Sequence, residues 1–493
     1  MNEHFYRFRP IDALLGKHEE LDKQEIYFAP PHQLNDPMEG FKDLFWSGDL
    51  IIWTNFLKHY VRSLNRACSL LMICGEQEPI DWDVVSAADL RFSQNRTNEE
   101  DKLVESIFSD FLTQPIKDLL LALAQRTSKI RRDELITYIK WIHIYTITTI
   151  YRRYQLEGLA PLSANAQSGD PIKNLHPQLS ELVRLVERAA KESEGKGDAP
   201  STLFQVVQHL NSQISISRDF GDSNLGNAKN KHFIFHSFPD QYINHLERLL
   251  YPDWYTACFM SDCRNASLWG YYGDNHKGAC LIFKPGMLNG TASLSVTKVT
   301  GWGNKGPHFG EAPMIFRPVS YTGKHVEIDF FRSLGRLPIS TLSQEWYCGP
   351  GGEKSVCSDE IFSDEAGWQN RYWERFEQST ATKLKDWNHE NEHRLVLHSN
   401  IADLSDVKCR LLKYNFHSLA GIIFGIKTSS DDKMKILKII EEKCNIEQRK
   451  DFKFYQAYFS PHNGKIEHAE LPFLKFTEKL SPALHHQIND PIS

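Results

Sequence analysis

The 493 residues suffice for two or three domains, with 41% apolar residues to build cores and 24% charged residues, an ordinary globular balance. A net charge of −6 excludes a general attraction to nucleic acid and leaves only a local basic patch for that role. No apolar run approaches the ~20 residues of a membrane span, MNEHFYRFRP holds no signal core, and nine scattered cysteines without a C-x-x-C pair suit reduced thiols in a cytoplasm.

In chain order, FYRFRP predicts a short alternating strand. Tyr6 lies in it, and Arg7 and Arg9 share one face, able to clamp a carboxylate or phosphate; the plainer reading is a surface ion pair. IDALLGKHEEL suits one or two helical turns, EIYFAPP a strand closed by prolines, and HQLNDPMEG a loop. Asn35 and Asp36 in that loop are candidates for local capping or for substrate contact.

From about residue 46 to 235 the pattern is helical. Leu103, Ile107 and Phe111 share a face with Val104; Leu179, Leu182, Val183, Val186 and Ala190 repeat the spacing, as do Leu203, Val206, Val207 and Leu210. Leu135 to Tyr154 is apolar on several sides and reads as a buried helix. Loops are expected near 163–171 and 191–201. From about 250 the segments WYTACFM, GACLIFK, VSYTG, HRLVLHS, KCRLLKY and LAGIIFGI read as strands, and DDKMKILKIIEEKC as a helix. Between 301 and 373 only one helix, near the end, is expected. The fold class is therefore α+β: a small mixed or antiparallel β core made of 1–45 and 236–480, a large all-helical insertion at 46–235, and a tail at 481–493.

Two constellations carry possible chemistry. In SLWGYYGDNHKGACLIF, Trp269 and Tyr272 are three apart and share a face if helical, free to be core or to stack on a planar ring; His276 and Lys277 beside Gly278 can meet a phosphate. HENEH at 389–393 matches the H-E-x-x-H zinc signature, but it runs directly into the strand-like RLVLHS, which disfavours the helix that signature needs. As a strand, Glu390, Glu392 and Arg394 fall on one face. That is either a solvated face or a catalytic E-x-E.

FYRFRP, IYFAPPHQLNDPMEG, W-x-x-Y…NHKG-x-C-L-x-F, VSY, W-x-x-E-x-E-x-R and LAGIIFG with its following helix, in that order, resemble the bacterial family known as domain of unknown function 2971. The resemblance covers about 45 N-terminal residues and much of 250–440, with the long insertion and the 301–373 stretch as departures. His389 and His393 stand at positions where the family carries aromatics, so HENEH reads as a coincidence on an E-x-E-x-R strand. By fold-level analogy the layout is similar to that of ADP-ribosyltransferases. That analogy implies NAD as substrate and an activity as ADP-ribosyltransferase or NAD glycohydrolase, and the resemblance to an uncharacterised bacterial family implies an effector in antiviral defence. It implies Glu392 as charge stabiliser, Glu390 as its assistant, Arg394 beside them, Arg7 and Arg9 on the pyrophosphate, and Trp269 or Tyr272 on the nicotinamide. No metal is then expected, and nucleic acid is a possible acceptor. The competing expectations are a non-catalytic nucleotide- or partner-binding module, its partner on the helical insertion, and a metal-dependent hydrolase or nuclease using Glu390, Glu392, Asp36 and a histidine.

Overall fold

Alternation in FYRFR sorts its side chains onto two faces, and both faces are covered, so the strand is central rather than peripheral. Phe5 joins one apolar cluster, with Phe259, Leu281, Phe283, Leu395 and Phe424. Phe8 joins the other, with Met260, Trp269, Cys280, Ile282 and Ile423. The computed structural model describes residues 3–82, 97–161, 175, 178–194, 198–222, 229–399, 402–474 and 476.

The chain divides into two compact units, one of 1–41, 253–325 and 378–493, the other of 42–252 and 326–377. In the first unit an eight-stranded sheet contains β1 (Phe5–Arg9), β2 (Trp254–Met260), β3 (Ala279–Phe283), β4 (Arg317–Pro318), β5 (Glu392–His398), β6 (Leu419–Phe424), β7 (Lys453–Ser460) and β8 (Lys465–Glu470). Their spatial order is β4-β5-β2-β1-β3-β6-β7-β8. All neighbours are antiparallel except β6 and β7, which the helix Ser430–Ile446 joins as a parallel crossover. Gly421 permits that close pairing, because a Cβ there would lie 2.5 Å from the Lys453 carbonyl oxygen. A second sheet holds Glu25–Tyr27, Leu411–Tyr414, Gly286–Leu288 and a long hairpin, Thr291–Gly303 with Gly306–Ile315.

The second unit contains α1 (Leu50–Cys74), α2 (Asn98–Phe111), α3 (Gln114–Ala124), α4 (Arg132–Leu156), α5 (Leu179–Glu192) and α6 (Ala199–Asp222). Fourteen of the residues of α4 are buried, as its apolar character on several sides predicted. This unit is not all-helical: Glu327–Asp329, Asp43–Trp46 and Ile130–Arg131 form a three-stranded sheet. Its boundaries also differ from expectation. The breaks fall at 41/42 and 252/253, and 326–377 belongs with the helices rather than with the β core. The physical reason is aromatic packing: Phe331 meets Trp53 edge-on at 5.0 Å, and Phe330 lies 5.4 Å from Trp46. The α+β class stands, with a β core larger than the small one expected. The hairpin and the pair β7–β8 were missed, the hairpin because its Gly-rich, exposed half shows no clean alternation. The loop expected at 163–171 and the tail at 481–493 lie outside the described residues, as does part of 191–201.

Candidate functional site

Strand β1 pairs with β3 over all five of its residues but with β2 only through Tyr6 and Met260. Strand β2 meanwhile pairs with β5 over seven residues. The sheet therefore splits between β1 and β2, and backbone groups on the inner edge of β2 need other partners. Thr256 exchanges two 2.8 Å hydrogen bonds with Ala29. Arg7 Nη1 donates to the Cys258 carbonyl at 3.2 Å, and Nη2 to the Tyr27 carbonyl at 3.3 Å. A cavity of about 290 Å³ opens here, bordered by Tyr6, Arg7, Arg9, Asn35, Tyr272 and Lys383 among others.

Behind the Lys383 wall lies a buried ionic network. Glu392 opens β5 in register with Met260, itself in register with Tyr6, so the three form one row across the sheet. Arg394 points to the same face, opposite Cys258. Its guanidinium is fully buried between two carboxylates. Nε and Nη2 donate to Glu392 at 2.8 and 3.1 Å; Nη1 and Nη2 donate to Glu39 at 2.6 and 2.9 Å. Nη1 also donates to the Thr380 carbonyl at 2.7 Å. Lys383, on the short strand Thr382–Leu384 held parallel to Ser320–Thr322, donates to Glu390 at 2.7 Å and to Glu392 at 2.9 Å. The Tyr272 hydroxyl donates to the other Glu390 oxygen at 2.6 Å, and the Tyr321 hydroxyl accepts from the Glu392 amide at 2.8 Å.

Burial works to raise the Glu392 carboxyl, but Arg394 and then Lys383 outweigh it and hold the pKa down to about 2. For Glu39 burial wins over Arg394, and its pKa is raised. Burial opposes the Lys383 ammonium, yet Glu392 and Glu390 more than restore its proton. Burial and Glu390 push the Tyr272 phenol up, so it stays a donor. Burial, then Glu392, raises the Cys258 thiol, which leaves it a poor nucleophile despite bordering the cavity. Arg7 is lowered to about 10 by burial and by Arg9.

The cavity is thus bordered by Arg7, Arg9, Lys383 and tyrosines, with Lys383 turned onto Glu390 and Glu392 and Arg9 onto Glu20, so that Arg7 is the one of the three held by carbonyls alone in the contacts above. Such a wall suits an anionic ligand that carries a ring.

The structure brings Tyr6, Arg7, Arg9, Asn35 and Tyr272 to the cavity, and Glu390, Glu392 and Arg394 to the network behind it. Several expectations need correction. Glu390 is not on the strand: it ends the 3₁₀ turn Lys385–Glu390, and Asn391, with φ 45°, separates it from β5. Glu390 and Glu392 meet through Lys383, not through strand alternation. His389 lies on that turn and His393 on β5, so HENEH has no shared helix face. The face carrying Glu392 and Arg394 is not solvated. Trp269 is not available for stacking on a ligand: it is fully buried, edge-on to Phe8, with Nε1 bonded to the Cys263 carbonyl at 2.8 Å. Arg9 is held bidentate by Glu20, so the arginine pair is not an open clamp. Asp36 accepts from the Met38 amide at 2.9 Å, the local turn role. His276 does not border the cavity; it belongs to a run of three left-handed residues, Asp274 to His276, and its carbonyl accepts from the Lys427 amide at 2.9 Å.

Sequence reading missed Glu39, Lys383, Tyr321 and Cys258. Glu39 lies inside HQLNDPMEG, where Asn35 and Asp36 carry the stronger turn-forming signal. Lys383 had no signal, because its position depends on pairing with residues sixty positions earlier. Among the described residues no group of three or more His, Cys, Asp or Glu is placed to hold a metal ion. Comparison with protein-family models, curated proteins and solved structures finds no match for this chain.

Proposed function

We propose that the cleft between β1 and β2 binds NAD and that the protein breaks its nicotinamide–ribose bond, as an ADP-ribosyltransferase or NAD glycohydrolase. The observation carrying this reading is the cationic, phenol-lined cavity with the E-x-E segment directly behind its wall. Its core is then of the ADP-ribosyltransferase type and its setting bacterial antiviral defence; the ordered segments that resemble the domain of unknown function 2971 family support that reading.

In this mechanism Lys383 swings from the glutamates to the pyrophosphate, Arg7, whose partners are carbonyls rather than carboxylates, adds positive charge beside it, and Tyr6 or Tyr272 packs on a ring. When Lys383 turns to a phosphate, Glu390 loses its partner at 2.7 Å and becomes available to the ribose. The C1′–N bond breaks with its electron pair going to nicotinamide. The oxocarbenium-like charge left on the ribose is stabilised by Glu390, with Glu392 behind it, until water or an acceptor hydroxyl attacks C1′ and releases a proton.

The test is calorimetric titration with NAD⁺ and with ADP-ribose, followed by mass spectrometry for nicotinamide. Binding of both and nicotinamide release that is lost in Glu390→Gln support the reading; binding of neither removes it. A non-catalytic nucleotide-binding module is favoured by a different observation: all oxygens of Glu390 and Glu392 already have donors in Lys383, Tyr272 and Arg394. Under that reading NAD⁺ binds and is recovered intact.

A further inference from the structure

Tyr27 ends the short strand Glu25–Tyr27 and borders the cleft, and two buried arginines meet it, one at its carbonyl and one at its hydroxyl. The carbonyl accepts from Arg7 Nη2 at 3.3 Å; the hydroxyl accepts from Arg410 Nη1 at 3.2 Å. Arg410 closes the 3₁₀ turn Val407–Arg410 and is 6% exposed, Arg7 7%. Among the described residues no Asp or Glu forms an ion pair with either. Arg7 has its two carbonyls. Arg410 has the Tyr27 hydroxyl and the faces of two rings, Tyr255 at 4.6 Å and Tyr27 at 5.5 Å from its central carbon. Its Nε is enclosed without an acceptor.

A buried cation without a counter-charge is costly, and contact with aromatic faces returns only part of that cost. Arg394 and Arg126, equally buried, each hold two carboxylates. In a chain of net charge −6, an uncompensated guanidinium in this place points to an anion that arrives from outside. The way in is through Gln33, an exposed side chain on the cavity rim whose Oε1 accepts from the Tyr27 hydroxyl at 2.9 Å. An anionic oxygen that takes the place of Oε1 accepts from the same hydroxyl and comes within reach of Arg410.

Strand β2 gives the position of this end of the cleft. Glu392 is in register with Met260, Arg7 donates to the Cys258 carbonyl, and Ala29, two residues after Tyr27, pairs with Thr256. Met260 and Thr256 are about 13 Å apart along an extended strand. Glutamates, Arg7 and Arg410 therefore follow one another along the cleft, with Arg410 at the end away from the glutamates.

We propose that Arg410, Tyr27 and Gln33 form a subsite for a phosphate monoester at the far end of the ligand. The inference rests on the NAD reading and narrows its substrate to a dinucleotide phosphorylated on the adenosine ribose, NADP rather than NAD. The order along β2 then matches the order along the molecule: nicotinamide ribose by the glutamates, pyrophosphate by Arg7, ribose phosphate by Arg410. A ribose hydroxyl would leave the guanidinium without a counter-charge; a phosphate supplies it and accepts charge-assisted hydrogen bonds.

Calorimetric titration of the full chain with NADP⁺ and with NAD⁺ is the test. NADP⁺ is expected to bind about tenfold or more tightly, and that ratio to fall toward one in Arg410→Gln. Gln33→Glu places a carboxylate where the phosphate would sit and is expected to lower the ratio as well. Its site is exposed, so it keeps the proposal testable should Arg410→Gln not fold. A wild type that binds the two equally, or NAD⁺ better, overturns the subsite and leaves the NAD reading standing. So does a preference that persists undiminished in Gln33→Glu or in folded Arg410→Gln. Binding of neither dinucleotide removes the NAD reading, and the subsite with it.

Discussion

Arg394 binds two carboxylates and a carbonyl with no access to water, so its partners decide its energy. Removing one member of such a buried set leaves the other charges unpaired. Arg394→Met is therefore expected to lower unfolding free energy by about 3–5 kcal/mol, measured by urea denaturation; a loss below 1 kcal/mol would mean that water reaches the network. Glu392 gives a pH signature. Its pKa falls from an ordinary 4.5 to about 2 on folding. A depressed carboxylate binds fewer protons in the folded state, so its contribution is present above pH ~4.5 and is lost as pH falls toward ~2. The shift corresponds to about 3 kcal/mol. Urea curves of wild type and Glu392→Gln should differ by about that amount at neutral pH and converge in this window. Equal pH slopes in the two proteins would show that Glu392 is not held by Arg394 and Lys383. Glu392→Gln is thus expected to affect folding as well as any turnover, and so, through Lys383 and Tyr272, is Glu390→Gln.

At the scale of elements, the joint between the 3₁₀ turn and β5 sets the geometry of both glutamates. Asn391 occupies the left-handed region that makes this joint possible. Asn391→Gly should be tolerated, while Asn391→Val should cost roughly 1–2 kcal/mol, because a β-branched residue resists that backbone. Equal melting midpoints for the two variants would show that the joint relaxes. The split between β1 and β2 is likewise an element-level device. Most strands were legible from short apolar runs bounded by turn residues, and the amphipathic helices from their spacing. The split was not, because pairing register joins residues some 250 positions apart. Lys383 was invisible for the same reason, and Trp269 was misread because burial cannot be told from display by spacing alone.

For the whole molecule, the second unit is built from two separate stretches of chain. Deleting only 46–235, the insertion expected from sequence, would leave Phe330, Phe331 and Trp346 without Trp46, Trp53 and Phe56. That deletion is expected to give insoluble protein, whereas replacing both 42–252 and 326–377 by short linkers should leave the first unit soluble. Comparing the soluble fractions decides it, and equal solubility would contradict the boundary at 325/326.

The sequence by itself determined the α+β class, the identity of most strands and helices, and the candidacy of Tyr6, Arg7, Tyr272, Glu390 and Glu392, because periodicity and turn chemistry are local. Only the tertiary structure decided that the glutamates lie behind a lysine, that the two arginines are already engaged, and that Arg410 is buried against Tyr27. Burial and ion pairing depend on which distant segments meet, and no local pattern encodes that.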